Sequence, residues 1–156
     1  MNQKMITDLP SREWIIVIDL NRITDYVNAH STVTFKKTDV TNENILTEVD
    51  NDFVLSAIMG GVANISTILT RRMEEPAKVD PSTMTITYKM IVGDNHDDSM
   101  ANVIYLKIMD YLCNYAVCKW NQWDVDTLKH ILDDIRSAIH YRKRSVSNHR
   151  RFNGIF

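Results

Sequence analysis

Glycine and proline are scarce in this sequence, four and three in 156 residues, and cysteine is scarcer still at two. So few breakers, beside 44% apolar residues, exclude a disordered or low-complexity chain and favour a helical, globular one of a single domain. Cys113 and Cys118 lie five apart in one expected helix, about 140° around it from each other, which is unsuited to pairing. They read as reduced core thiols. No run reaches the ~18 apolar residues of a membrane span, and the N-terminus lacks the basic start, apolar stretch and cleavage site of a signal peptide. A cytosolic protein, or one assembled in a cytosol, is expected, with no role for a membrane. Catalytic signatures are missing too: there is no glycine-rich phosphate loop, Cys-x-x-Cys, His-Glu-x-x-His or Gly-x-Ser-x-Gly. The titratable groups are scattered, so neither an enzyme nor a cofactor is expected.

Charge is present but unevenly placed. Arg136 to Phe156 hold six of the 18 Lys and Arg and no Asp or Glu, so residues 1–135 keep twelve basic groups against all 20 acidic ones. A body of net −8 thus carries a tail of +6, with His neutral. This split suggests a basic arm reaching towards an acidic surface, either nucleic acid or the body of a neighbouring copy. Complementing a helix dipole accounts for Arg142, Lys143 and Arg144, but not for Arg150, Arg151 or the apolar end of Phe152, Ile155 and Phe156. Docking that end on a partner would bury roughly 1.5–3 kcal/mol per large side chain before ordering costs. A ring of identical arms would multiply the affinity.

Three helices are expected. The surest covers about Asp98 to Gln122, capped by Asp98 or Ser99, with a narrow polar stripe of Lys107, Asp110, Asn114 and Asn121 on an otherwise apolar, hence central, helix. The next, about Val125 to Lys143, buries Leu128, Leu132, Ile135 and Ile139. A third, about Asp52 to Met73 and capped by Asn51 or Asp52, is interrupted by Gly60 and Gly61, which imply either a close helix crossing or a kink. Thr83 to Met90 alternates as an extended segment with Met84, Ile86, Tyr88 and Met90 on one face, in need of a partner strand. Trp14 to Leu20 reads as the start of a helix through Tyr26, with a strand as the alternative. Asn28 to Asp50 reads as a polar loop, with one short strand at Val33 to Lys37 as an option. The fold class is therefore mainly α: a small bundle around a central apolar helix, with a short strand or hairpin excursion. Residues 1–144 form the domain, 1–50 being an N-terminal extension of undetermined fold, and 145–156 an extended C-terminal docking arm.

Other candidates have bland explanations. Asp94-Asn95-His96-Asp97-Asp98 is oxygen-rich but lacks the Gly turn and distal Glu of a calcium loop, and reads as a solvated loop capping a helix. His130 and His140 lie about 80° apart on one helix with no third ligand evident, and read as surface residues. Trp120 and Trp123 could stack on bases, although aromatics at the end of a buried helix are more often packing anchors.

Three stretches carry a family resemblance: Leu46-Thr47-Glu48-Val49-Asp50-Asn51-Asp52-Phe53-Val54-Leu55-Ser56-Ala57-Ile58, then Met100 to Trp120, then Asp126-Thr127-Leu128-Lys129-His130-Ile131-Leu132-Asp133-Asp134-Ile135. An early helix near an acidic turn, a loop, a long apolar helix and a final amphipathic helix resemble small head-to-tail connector (adaptor, or head-completion) proteins of tailed bacteriophages. The likeness covers about residues 46–144 and rests on helix order and spacing, without a diagnostic motif. It implies a non-enzymatic structural protein of the virion, assembled in the host cytoplasm as a homo-oligomeric ring. The ring would join the capsid portal to the next tail or neck component, and DNA would pass through it without sequence-specific binding. It also implies that a C-terminal extension reaches the portal, which makes Arg142, Lys143, Arg144, Arg150, Arg151, Phe152, Ile155 and Phe156 the expected partner-binding residues. The alternative is a small nucleic-acid-binding regulator whose basic C-terminal segment contacts phosphates, with an enzyme built on the Asp94–Asp98 cluster as a third reading.

Overall fold

A computed structural model describes residues 11–38 and 51–141. In chain order the elements are β1 (Ser11–Asp19), α1 (Leu20–Thr38), α2 (Asn51–Leu69), β2 (Lys78–Asp80), β3 (Thr85–Gly93), α3 (Ser99–Asn121) and α4 (Lys129–His140). Short 3-10 turns extend α2 over Thr70–Arg72 and precede α4 over Val125–Leu128. The protein is mainly helical, with one three-stranded antiparallel sheet in the order β1-β3-β2.

The front of the chain corrects the sequence reading. Trp14 to Leu20 does not begin a helix: β1 fills Ser11–Asp19 and the helix starts at Leu20. Trp14, Ile16 and Ile18 are buried while Ile15 and Val17 are exposed, the period of two that a strand imposes. Inward and outward residues are equally apolar here, so hydropathy could not reveal the alternation. The loop expected from Asn28 is also corrected, because α1 continues to Thr38 and takes in the strand-like Val33 to Lys37. Local β propensity is a weak preference that a growing helix overrides.

The extended segment finds its partner in β1. The two strands pair along their whole length, from Ser11 opposite Gly93 to Asp19 opposite Thr85, and β2 adds Lys78 opposite Thr87 to Asp80 opposite Thr85. Ile86, Tyr88, Met90 and Val92 face the core. Met84 precedes the strand in a left-handed conformation (φ 53°), in a turn where Asp80 Oδ1 accepts from Ser82 N–H (2.9 Å) and Oγ–H (2.6 Å). The Met84 carbonyl accepts from Leu20 N–H at 2.9 Å, tying the hairpin to the first residue of α1.

Helix α3 touches α1, α2, α4 and β1, as a central helix must. From Tyr111 to Cys118 it is buried almost all round, whereas Val103 and Leu106 in its first half are exposed. Helix α2 runs unbroken through Gly60 and Gly61, so the crossing explanation holds. A Cβ on Gly61 would sit 3.1 Å from Tyr115 Cγ and 3.2 Å from Leu112 Cδ2. The same interface carries Asn64 Nδ2–H donating to Tyr111 Oη (3.0 Å) and Phe53 edge-on to Trp120 (5.2 Å). By length and mean hydropathy (1.7), residues 51–72 would suffice to cross a bilayer, a property that the count of uninterrupted apolar residues missed. In the fold Val54, Ile58, Val62, Ile65 and Leu69 instead line the core. Helix α4 buries Ile131, Ile135, Ala138 and Ile139 and ends at His140, three residues short of the expected Lys143.

Candidate functional site

All eight expected partner-binding residues, Arg142, Lys143, Arg144, Arg150, Arg151, Phe152, Ile155 and Phe156, lie outside the described residues. The structure does place their point of attachment. The core is continuous from Trp14 to Ile139, and Tyr141, the last described residue, is extended (φ −64°, ψ 134°) and 50% exposed. The described chain therefore ends at the surface.

That end of α4 lies beside a basic cleft, which His140 helps to line. The 3-10 turn after α2 carries Arg71 and Arg72, and α4 places Arg136 and His140 four residues apart on one face. These four, with Thr67 and Ile68, line a cleft of about 490 Å³ between the two helices. A second cleft of about 290 Å³ adjoins it, sharing Thr67, Ile68 and Arg136 and ending at Lys129 and Asp126. Arg136 is paired with Asp133 (2.6 Å) and Lys129 with Asp126 (3.7 Å). Arg71 and Arg72 form no ion pair among the described residues, and no acidic side chain lines the larger cleft. The acids next in sequence, Glu74 and Glu75, act on Lys89 instead, whose pKa is raised first by its hydrogen bond to Glu13 (3.2 Å) and further by these two. The cleft is thus a positive, partly apolar concavity. Its basic pair at a helix end was visible in the sequence, but the approach of α4 that makes a site of it was not.

The Asp94–Asp98 loop already holds a cation, and it is a side chain. Arg12 Nη1–H donates to Asp98 Oδ1 (2.7 Å) and its Nη2 to the carbonyls of Gly93, Asp94 and His96. Asp98 also accepts from Trp14 Nε1–H (3.0 Å). Asp98 stands at the N-cap position of α3, one of the two expected, but its side chain makes no capping hydrogen bond; Asp97 accepts instead from Ser99 N–H (3.0 Å) and Oγ–H (2.9 Å). Asn51, similarly, serves as a link to α1, accepting from Thr24 (2.6 Å) and donating to Asn21 (3.0 Å). His96 is buried against the edge of Trp14 and accepts Gly93 N–H on Nδ1 (3.0 Å). Chain order gave no hint of this clamp, since Arg12 lies more than 80 residues from its partners. Among the described residues no three of His, Cys, Asp and Glu are grouped to hold a metal ion.

The remaining candidates divide. Trp120 packs on Phe53, as a packing anchor should, whereas Trp123 is 56% exposed. His130 and His140 are on the surface. Cys113 and Cys118 are free and buried; burial, with Asp110 adding to it, pushes the Cys113 thiol up to about 12, and burial raises Cys118 too. Neither is a poised nucleophile.

No family model, curated protein or solved structure matches this chain.

Proposed function

We propose that the protein is a structural component of a tailed-phage virion, one subunit of a ring that connects the capsid portal to the tail. In this reading the helices form a bundle around α3, and residues 145–156 are an extended arm that becomes ordered on the portal or on the next neck component. The observation that carries it is the ending of α4. The helix stops at His140 on the rim of the arginine cleft, and the chain leaves from an exposed Tyr141. Fifteen further residues, five of them basic and with an apolar tip, thus start from the surface. The clamp of Arg12 in the acidic loop supports a non-catalytic role, because among the described residues the carboxylate-rich loop from Asp94 to Asp98 is occupied in holding β1 to the start of α3.

Light scattering and native mass spectrometry of the full chain, alone and with its portal, test this. A high-order ring, or assembly that depends on the portal and is lost when residues 145–156 are removed, is the expected result. A chain that stays monomeric and ignores the portal ends the proposal. The arginine cleft also favours a second reading, nucleic-acid binding, since Arg71, Arg72 and Arg136 open beside the attachment of Arg142, Lys143 and Arg144. That reading expects a gel shift at low salt that fades steeply as salt rises and vanishes when the basic tail is neutralised. A blank gel at low salt dismisses it.

A further inference from the structure

We infer that the arginine cleft between α2 and α4 receives the acidic segment 39–50 of a second copy of this chain. The inference rests on the ring reading and supplies the contact between its subunits. The cleft sets the guanidinium groups of Arg71 and Arg72, without an ion-pair partner among the described residues, beside the half-buried side chain of Ile68, so its complement is a peptide both acidic and apolar. Residues 39–50 have that composition: Asp39, Glu43, Glu48 and Asp50 with Ile45 and Leu46 among them, and no Lys, Arg or His. A nucleic-acid backbone fits less well, for it would meet an apolar floor in a body of net negative charge.

The segment cannot reach the cleft of its own molecule. It enters α2 at Asn51, and the helix from there to Arg71 rises about 30 Å. Its other anchor, the end of α1, lies towards the same far end. Helix α1 passes from Tyr105, where Arg22 donates to it, to Asn114, bonded by Tyr26, and so heads for the end of α3 where Trp120 meets Phe53. A journey to the cleft and back needs about 60 Å, whereas the segment spans at most about 45 Å fully extended. The donor is therefore another copy. Each copy then offers a segment at one end and a cleft at the other, a head-to-tail contact that closes into a ring or propagates as a filament.

The test uses full-length chains. Arg71→Ala with Arg72→Ala disables the cleft, and Glu43→Gln with Glu48→Gln disables the segment, neutral changes that cannot restore the contact by charge exchange when the two variants are mixed. Arg71 is exposed and Arg72 half-buried, so unchanged thermal unfolding serves as the folding control. Each double variant alone is expected to be monomeric, and a mixture of the two to stop at a one-to-one heterodimer. A labelled peptide of residues 39–50 should bind the segment variant, and the arginine replacements should weaken it by about tenfold or more. If both variants assemble as the wild type does, the cleft assignment is overturned while the ring reading stands. If a short DNA duplex binds at the arginines and the peptide does not, the occupant is wrong. A wild-type chain that is monomeric even with the portal ends both the ring reading and the assignment of the segment to a second copy.

Discussion

Tyr88 is fully buried, and its hydroxyl finds no hydrogen-bond partner among the described residues; burial pushes its pKa well above the ordinary value. A buried, unsatisfied hydroxyl costs about 1–3 kcal/mol. Tyr88→Phe is therefore expected to be neutral or stabilising by up to about that amount in urea denaturation, and a clear loss would contradict the account. At this scale the sequence was readable by residue type more than by role. Asp94 to Asp98 drew notice as oxygen-rich, but the guanidinium they surround belongs to Arg12, and only the pairing of Arg12 with Val92 brings it there. The thiols were easier, since a cysteine inside an apolar helix is buried by the pattern of its neighbours.

Helices were more legible than strands, for a physical reason. The polar stripe of α3 and the spacing of four, three and four in α4 are periodic signals independent of what packs on them. Strand β1 has no such signal, because its outward Ile15 and Val17 match its inward residues in hydropathy. Gly60 and Gly61 marked the crossing of α2 and α3 before either partner was known. Their closeness gives a direct test: Gly61→Val would drive two methyl groups towards Tyr115 and Leu112, and overpacking of this kind costs about 1–3 kcal/mol. Ala63→Val, at an exposed position of the same helix, should cost only its lower helix propensity, and because Val is a better helix former than Gly, a Gly61→Val that is neutral or stabilising would contradict the crowding.

For the molecule as a whole, the groups with raised pKa values set an alkaline limit. Cys113 ionises near its ordinary 9.0 when unfolded but about 12 when folded, and burial raises Tyr88 in the same direction. A group raised on folding contributes stability that is complete below its unfolded pKa and is lost as pH climbs towards the folded one. Urea midpoints should thus be steady up to about pH 9 and fall above it. Alkylation of Cys113 should require unfolding. Removal of residues 142–156, whose attachment point is exposed, should shift Tm by no more than about 2 °C. A larger fall would mean that the tail belongs to the core. Net charge and its asymmetry were plain in the sequence, whereas the cleft was hidden, since it depends on two helices separated by the whole of β3 and α3.

The register of β1 on β3 sets an order of events during synthesis. Ser11 must wait for Gly93, so the ribosome releases Trp14, Ile15, Ile16, Val17 and Ile18 long before any partner strand exists. Until then a stretch of high β propensity is exposed in the nascent chain, open to mispairing with other copies on the same message. The pairing of β1 with β3 is thus a long-range contact that sequence order places late in folding.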